Sequence, residues 1–80
     1  MKLHARLKAA RLHWGLSLRA VETLSEGAIS NPYLCRIENG KEFEISPHKL
    51  RVLARILKLD YIELMIHAGY LTVKDLKGRV

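Results

Sequence analysis

Eighty residues, 49% of them hydrophobic, suffice for one core, and neither a second domain nor a large catalytic pocket is expected at this size. Fourteen Lys and Arg against eight Asp and Glu give a formal charge of +6, which favours a polyanionic partner without naming one. A single cysteine, Cys35, excludes an internal disulfide, and no Cys/His cluster has structural-zinc spacing, so a fold without covalent or metal staple in a reducing cytoplasm is expected. Met1-Lys2-Leu3-His4 leads straight into a cationic amphipathic pattern with no apolar signal core, so export is not expected; charges break every apolar stretch short of a membrane span. From Leu3 to Trp14, Leu3, Leu7, Ala10 and Trp14 recur in steps of four, three and four, which predicts a first helix with that face inward and an end at Gly15. Ser17 then caps a second helix, in which Leu18, Val21 and either Leu24 or Ser25 face inward before Ser25-Glu26-Gly27 interrupts the pattern.

Ser30 caps a third helix over roughly 31–38, with Pro32 in the first turn, where a missing N–H is harmless, and Asn39-Gly40 as a left-handed exit. Between Lys41 and Ile45, Phe43 and Ile45 alternate with Glu42 and Glu44, which predicts an extended loop that tucks two apolar residues under the domain and turns the acids outward. Ser46-Pro47 open a fourth helix with a stripe at Leu50, Leu53, Ala54 and Leu57. Asp60 with Glu63 reads as a capping box for a fifth helix through Ile62, Met65 and Ile66, ending at Gly69. The expected architecture is an all-α, compact five-helix domain over residues 1–71 with a mixed tail at 72–80. Within it, residues 16–40, LSLRAVETLSEGAISNPYLCRIENG, read as a helix-turn-helix formed by helices two and three. Leu34 and Ile37 anchor the second of these helices and its polar, cationic face is spaced to enter a DNA major groove.

The run SLRAVETLSEGAISNPYLCRIENGK, followed by SPHKLRVLARILKL and IELMIHAGYL, resembles the lambda-repressor-like helix-turn-helix family of phage repressors, Cro proteins and many small bacterial regulators. The resemblance covers about residues 3–71 and is most specific in YLCRIENGK. It implies a sequence-specific, double-stranded DNA-binding regulator, expected to act as a repressor in the cytoplasm at the nucleoid, with base contacts at Asn31, Pro32 and Arg36. It also implies a partly buried ion pair of Arg11 with Glu38, joining helix one to the end of helix three. The chain departs from the commonest pattern in three places: Glu22 stands where alanine is frequent, Leu18 where several phage repressors place a bracing glutamine, and the turn is longer by about two residues.

If helix three lies in a groove as in those repressors, Asn31, Pro32, Cys35 and Arg36 meet base edges by position. Arg36 presents a planar fork suited to guanine, and Asn31 an amide suited to adenine; Pro32 and Cys35 offer apolar contact. Phosphate contacts are expected from Ser17 and the N–H groups of Leu18 and Arg19, and from Ser30, Tyr33, Asn39 and Lys41. Asn39-Gly40 is equally what a plain helix exit requires, and Tyr33 reads alternatively as a core aromatic with its hydroxyl at the rim. Glu42 and Glu44 would repel phosphate and are expected to face away from it.

His4, His13, His48 and His67 are too widely spaced for a catalytic or metal constellation, so no enzyme activity, cofactor or metal is expected, and Cys35 reads as a packing residue sooner than as a redox sensor. The competing function is a protein-interaction module, such as an antitoxin-like or anti-repressor partner. Ile66, Tyr70, Leu71, Val73 and Leu76 are candidates for a dimer contact or for closing the monomer's own core. A homodimer predicts a roughly palindromic operator.

Overall fold

Four of the five helices in the computed structural model begin at a side chain that caps them, and the structure describes residues 2–42 and 44–72. The helices are α1 (Leu3–His13), α2 (Leu18–Leu24), α3 (Asn31–Glu38), α4 (Pro47–Leu57) and α5 (Tyr61–His67). Ser17 Oγ accepts from the Ala20 N–H at 3.0 Å, Ser30 Oγ from Tyr33 at 3.2 Å, Ser46 Oγ from Lys49 at 3.2 Å and Asp60 Oδ1 from Ile62 at 2.9 Å. Each bond satisfies one of the orphan amides of a helix start and contributes about 1 kcal/mol. Pro32 and Pro47 stand in the first turns of α3 and α4, as their fixed φ allows. At the end of α3, the Lys41 N–H bonds to Arg36 O at 2.9 Å and the Gly40 N–H to Ile37 O at 3.0 Å. This paired closure requires the left-handed φ of +72° that Gly40 adopts without a Cβ penalty.

The core gathers Leu7 and Ala10 of α1, Val21 of α2, Leu34 and Ile37 of α3, the whole predicted stripe of α4, Leu64 of α5, and Ile29 and Ile45 from the connections. Burying each large side chain contributes about 1.5–3 kcal/mol. α1 packs on α3 and α4, α2 on α3, and α5 on α4.

Two expectations change, for Trp14 and for the capping box of α5, and two points that the sequence leaves open are settled. Trp14 lies outside the core at 46% exposure, because α1 stops at His13 and the indole lies across the end of α4, donating to Leu57 O at 2.8 Å. Leu24 is 53% exposed, and Ser25, one turn beyond Val21, takes the inward place. Its hydroxyl donates to Glu22 O and accepts from the Ile29 N–H, both at 3.0 Å, so it serves the buried turn where a leucine cannot. The inward residues of α5 are Leu64, with Tyr61, Met65 and Ala68 packed beside it, and not Ile62 and Ile66. The segment YIELMIHA is apolar around most of its circumference, so contact with α4 chooses the face that periodicity leaves open. Asp60 caps α5 alone, since Glu63 turns to Arg6 at 3.1 Å and His67 at 3.6 Å. Ile45 is buried, while Phe43 lies outside the described residues.

Candidate nucleic-acid interface

α3 divides its residues by face. Leu34, Ile37 and Glu38 point into the protein, whereas Pro32, Arg36 and Asn39 are exposed and Asn31, Tyr33 and Cys35 half-buried. Pro32, Cys35, Arg36 and Asn39 fall at helical spacing on one outer face, so the structure brings together three of the four residues selected for base contact. Asn31 stands at the edge of that face and donates its backbone N–H to Glu22 Oε2 at 2.9 Å.

That bond completes the accounting of amides at the start of α3. Asn31 N–H goes to Glu22, Pro32 has none, Tyr33 N–H goes to Ser30 Oγ, and Leu34 N–H goes to Ser30 O at 2.9 Å. An anion therefore finds no open donor in the first turn of this helix, and any contact there must come from side chains. Sequence reasoning does not select Glu22 for the site; Leu18, one turn earlier in α2, packs its side chain against the core. Six residues, 25–30, connect α2 to α3. This connection holds Glu26 at φ 53° and Gly27 at φ 84°.

Charge and aromatic surface meet around Tyr33. The Lys49 ammonium of α4 stands 4.1 Å from the ring centroid and the Arg36 guanidinium 5.7 Å from it. Lys49 also escapes sequence reasoning, because its link to α3 depends on how α4 crosses the bundle. Burial first, and the nearby Glu42 carboxylate second, hold the Tyr33 hydroxyl above its ordinary pKa, against the opposing pull of Arg36. Tyr33 is partly buried and packs against the core.

Glu42 reaches back to α3: its Oε2 lies 3.9 Å from Arg36 Nε, so an anion stands beside the cation of the outer face. Glu44 is exposed. Asn39 Nδ2 donates to Cys35 Sγ at 3.4 Å, which ties two outer-face side chains to each other.

On the opposite side of α3, the Arg11 guanidinium grips Glu38 with two bonds of 2.7 and 2.9 Å and donates a third to Leu16 O at 2.8 Å. The carboxylate that it bonds raises the Arg11 pKa, with burial opposing. This joint fixes the angle of α3 to α1 and belongs to the architecture.

Ser17 and Ser30 use their hydroxyl oxygens as caps, which leaves the hydroxyl proton of each as a donor. Arg19 and Lys41 are exposed. Of the residues named for a dimer contact, Ile66 and Leu71 are half-buried. Tyr70 is 45% exposed, with its hydroxyl donating to Ile45 O at 2.8 Å within the chain, while Val73 and Leu76 lie outside the described residues. No helix among the described residues is long and apolar enough to cross a membrane, and no three His, Cys, Asp or Glu among them gather as a metal-binding group. No protein-family model, curated protein or solved structure matches this chain.

Proposed function

We propose that the chain is a sequence-specific regulator that binds double-stranded DNA, a lambda-repressor-like helix-turn-helix domain in which α2 supports α3 and the outer face of α3 enters the major groove. The observation that carries this is the division of α3: Leu34, Ile37 and Glu38 anchor it inside, while Arg36, its side chain 52% exposed, stands outward beside Pro32 and Cys35 in a chain of charge +6. Arg36 reads guanine with its fork, Asn31 contributes its side-chain amide, and Ser17, Arg19, Ser30, Tyr33, Asn39 and Lys41 meet phosphates. Glu42 gives up Arg36 when a base takes its place. As a homodimer the protein presents two such helices to half-sites about 34–36 Å apart and represses by occupying the operator.

Selection from a random duplex pool, followed by affinity measurement at two salt concentrations, tests the proposal. A recovered motif with roughly two-fold symmetry and a steep loss with salt is the expected result. A chain that binds no duplex at low salt refutes it. The second function, a protein-interaction module, is favoured by Leu12, Trp14 and Leu24, which are exposed at 58%, 46% and 53%. It predicts a stable protein complex whose affinity barely responds to salt.

A further inference from the structure

The outer side of α4 carries a row of basic residues, the cations Arg51, Arg55 and Lys58 with His48 at its start, that neither the core nor the α3 face uses. His48, Arg51, Arg55 and Lys58 recur in steps of three, four and three, and all are exposed, so they stand in one line along the helix. At 1.5 Å rise per residue the line is about 15 Å long. α4 contains no acidic residue, and among the described residues no carboxylate forms an ion pair with any of the four.

Helix stability accounts for only part of the row. The macrodipole favours cations in a last turn, where Arg55 and Lys58 stand, but gives no reason for Arg51 at mid-helix or for a first turn that holds Lys49 and no acid. Lys58 ends the helix at φ 55°, a conformation that glycine or asparagine normally supplies, so a cation is kept there against backbone preference. Membrane attachment does not account for it either. The apolar residues of α4 are buried or packed against the core, which leaves none on this side to enter a bilayer.

We propose that this row is a second polyanion-binding surface, which takes the phosphate backbone of duplex DNA independently of base reading by α3. Successive cations are spaced about 4.5–6 Å along the axis, between one and two steps of a DNA strand at about 3.4 Å each. The Arg51 guanidinium lies over the Tyr61 ring at 5.0 Å, and Lys58 lines a groove with His13 and Trp14, so the row borders α5 and α1.

The experiment is fluorescence anisotropy of a labelled random-sequence duplex between about 50 and 200 mM salt. Replacing Arg51, Arg55 and Lys58 together by Gln lowers the slope of log affinity against log salt by about 2.7, at about 0.9 for each phosphate no longer neutralised. Lys58→Gly separates charge from folding: it relieves the positive φ, so the unfolding midpoint holds or rises while the slope falls by about 0.9. Wild-type slopes in both variants overturn the proposal. So does a wild-type protein that sediments with anionic vesicles and leaves the duplex unbound. Arg36→Ala, measured on the duplex selected from the random pool beside the random-sequence one, keeps the two surfaces distinct. If it abolishes sequence preference while the row variants behave as wild type, α3 reads DNA and the row does not; the reverse pattern retains the row and removes the α3 proposal.

Discussion

Two ion pairs leave α3 from neighbouring positions and are built for opposite purposes. Glu38 meets Arg11 where the side chains are 6% and 12% exposed, in a two-pronged contact at 2.7 and 2.9 Å. Arg36 meets Glu42 where they are 52% and 31% exposed, at 3.9 Å. Residues two apart on a helix project about 200° apart, so one charge enters the protein and the other leaves it. Water cannot replace the partner of the first pair, and removing either member strands a charge. It readily replaces the partner of the second, and so can a base edge or a phosphate.

The largest test of this contrast is Glu38→Ala, which lowers stability by about 3–5 kcal/mol in chemical denaturation. Arg11→Met combined with Glu38→Leu restores much of that loss, because no unpaired charge is left. A loss below about 1 kcal/mol in the single variant would place this pair with surface bridges and erase the contrast. Arg36→Ala sharpens it from the other side: discrimination at one base pair falls by about 1–3 kcal/mol, while stability stays within about 0.5 kcal/mol of the parent. An equal loss for every sequence would reassign Arg36 to phosphate.

Glu22→Ala comes next, with about 1 kcal/mol lost and faster hydrogen exchange at the Asn31 amide, whereas Glu22→Gln keeps an acceptor oxygen and the protection. Unchanged exchange in the alanine variant would show that the brace is unimportant. The smallest effect belongs to Glu42→Gln. It raises affinity for random duplex about threefold by removing a like charge near the phosphates, and it moves the Tyr33 pKa down toward its ordinary value, followed by NMR titration. Tyr33 keeps its proton in the folded state above the ordinary value of 10.0. Its contribution to stability is therefore present below that value and lost as the pH rises through it toward the folded pKa. Tyr33→Phe flattens this alkaline loss, and an unchanged alkaline limb would assign the titration elsewhere.

Helix starts are legible because a cap is a bond within three residues, and Ser17, Ser30, Ser46 and Asp60 all cap as their local sequence predicts. The α4 stripe is legible because its apolar residues repeat at one period and its remaining face is charged. The face of α5 is not, since too many of its residues are apolar for periodicity to choose among them. Periodicity also fails to place Trp14, Leu24 and Ser25, which sit at helix ends, where the chain turns away from the axis that the pattern assumes. The outer residues of α3 can be selected by position, but their neighbours cannot: Glu22, Glu42 and Lys49 reach α3 from other segments.

The sequence by itself determined five helices and the starts of the four that are capped, the anchors Leu34 and Ile37, and a cationic chain, because each depends on short-range spacing, caps and composition. Tertiary structure alone decided that Glu22 closes the amides at the start of α3, that Glu42 shadows Arg36, that Lys49 shares Tyr33, and that no carboxylate among the described residues pairs with the basic row of α4. Those relations are set by how the helices cross, and crossing is governed by which apolar faces bury each other, a choice that charged surface residues follow without dictating it.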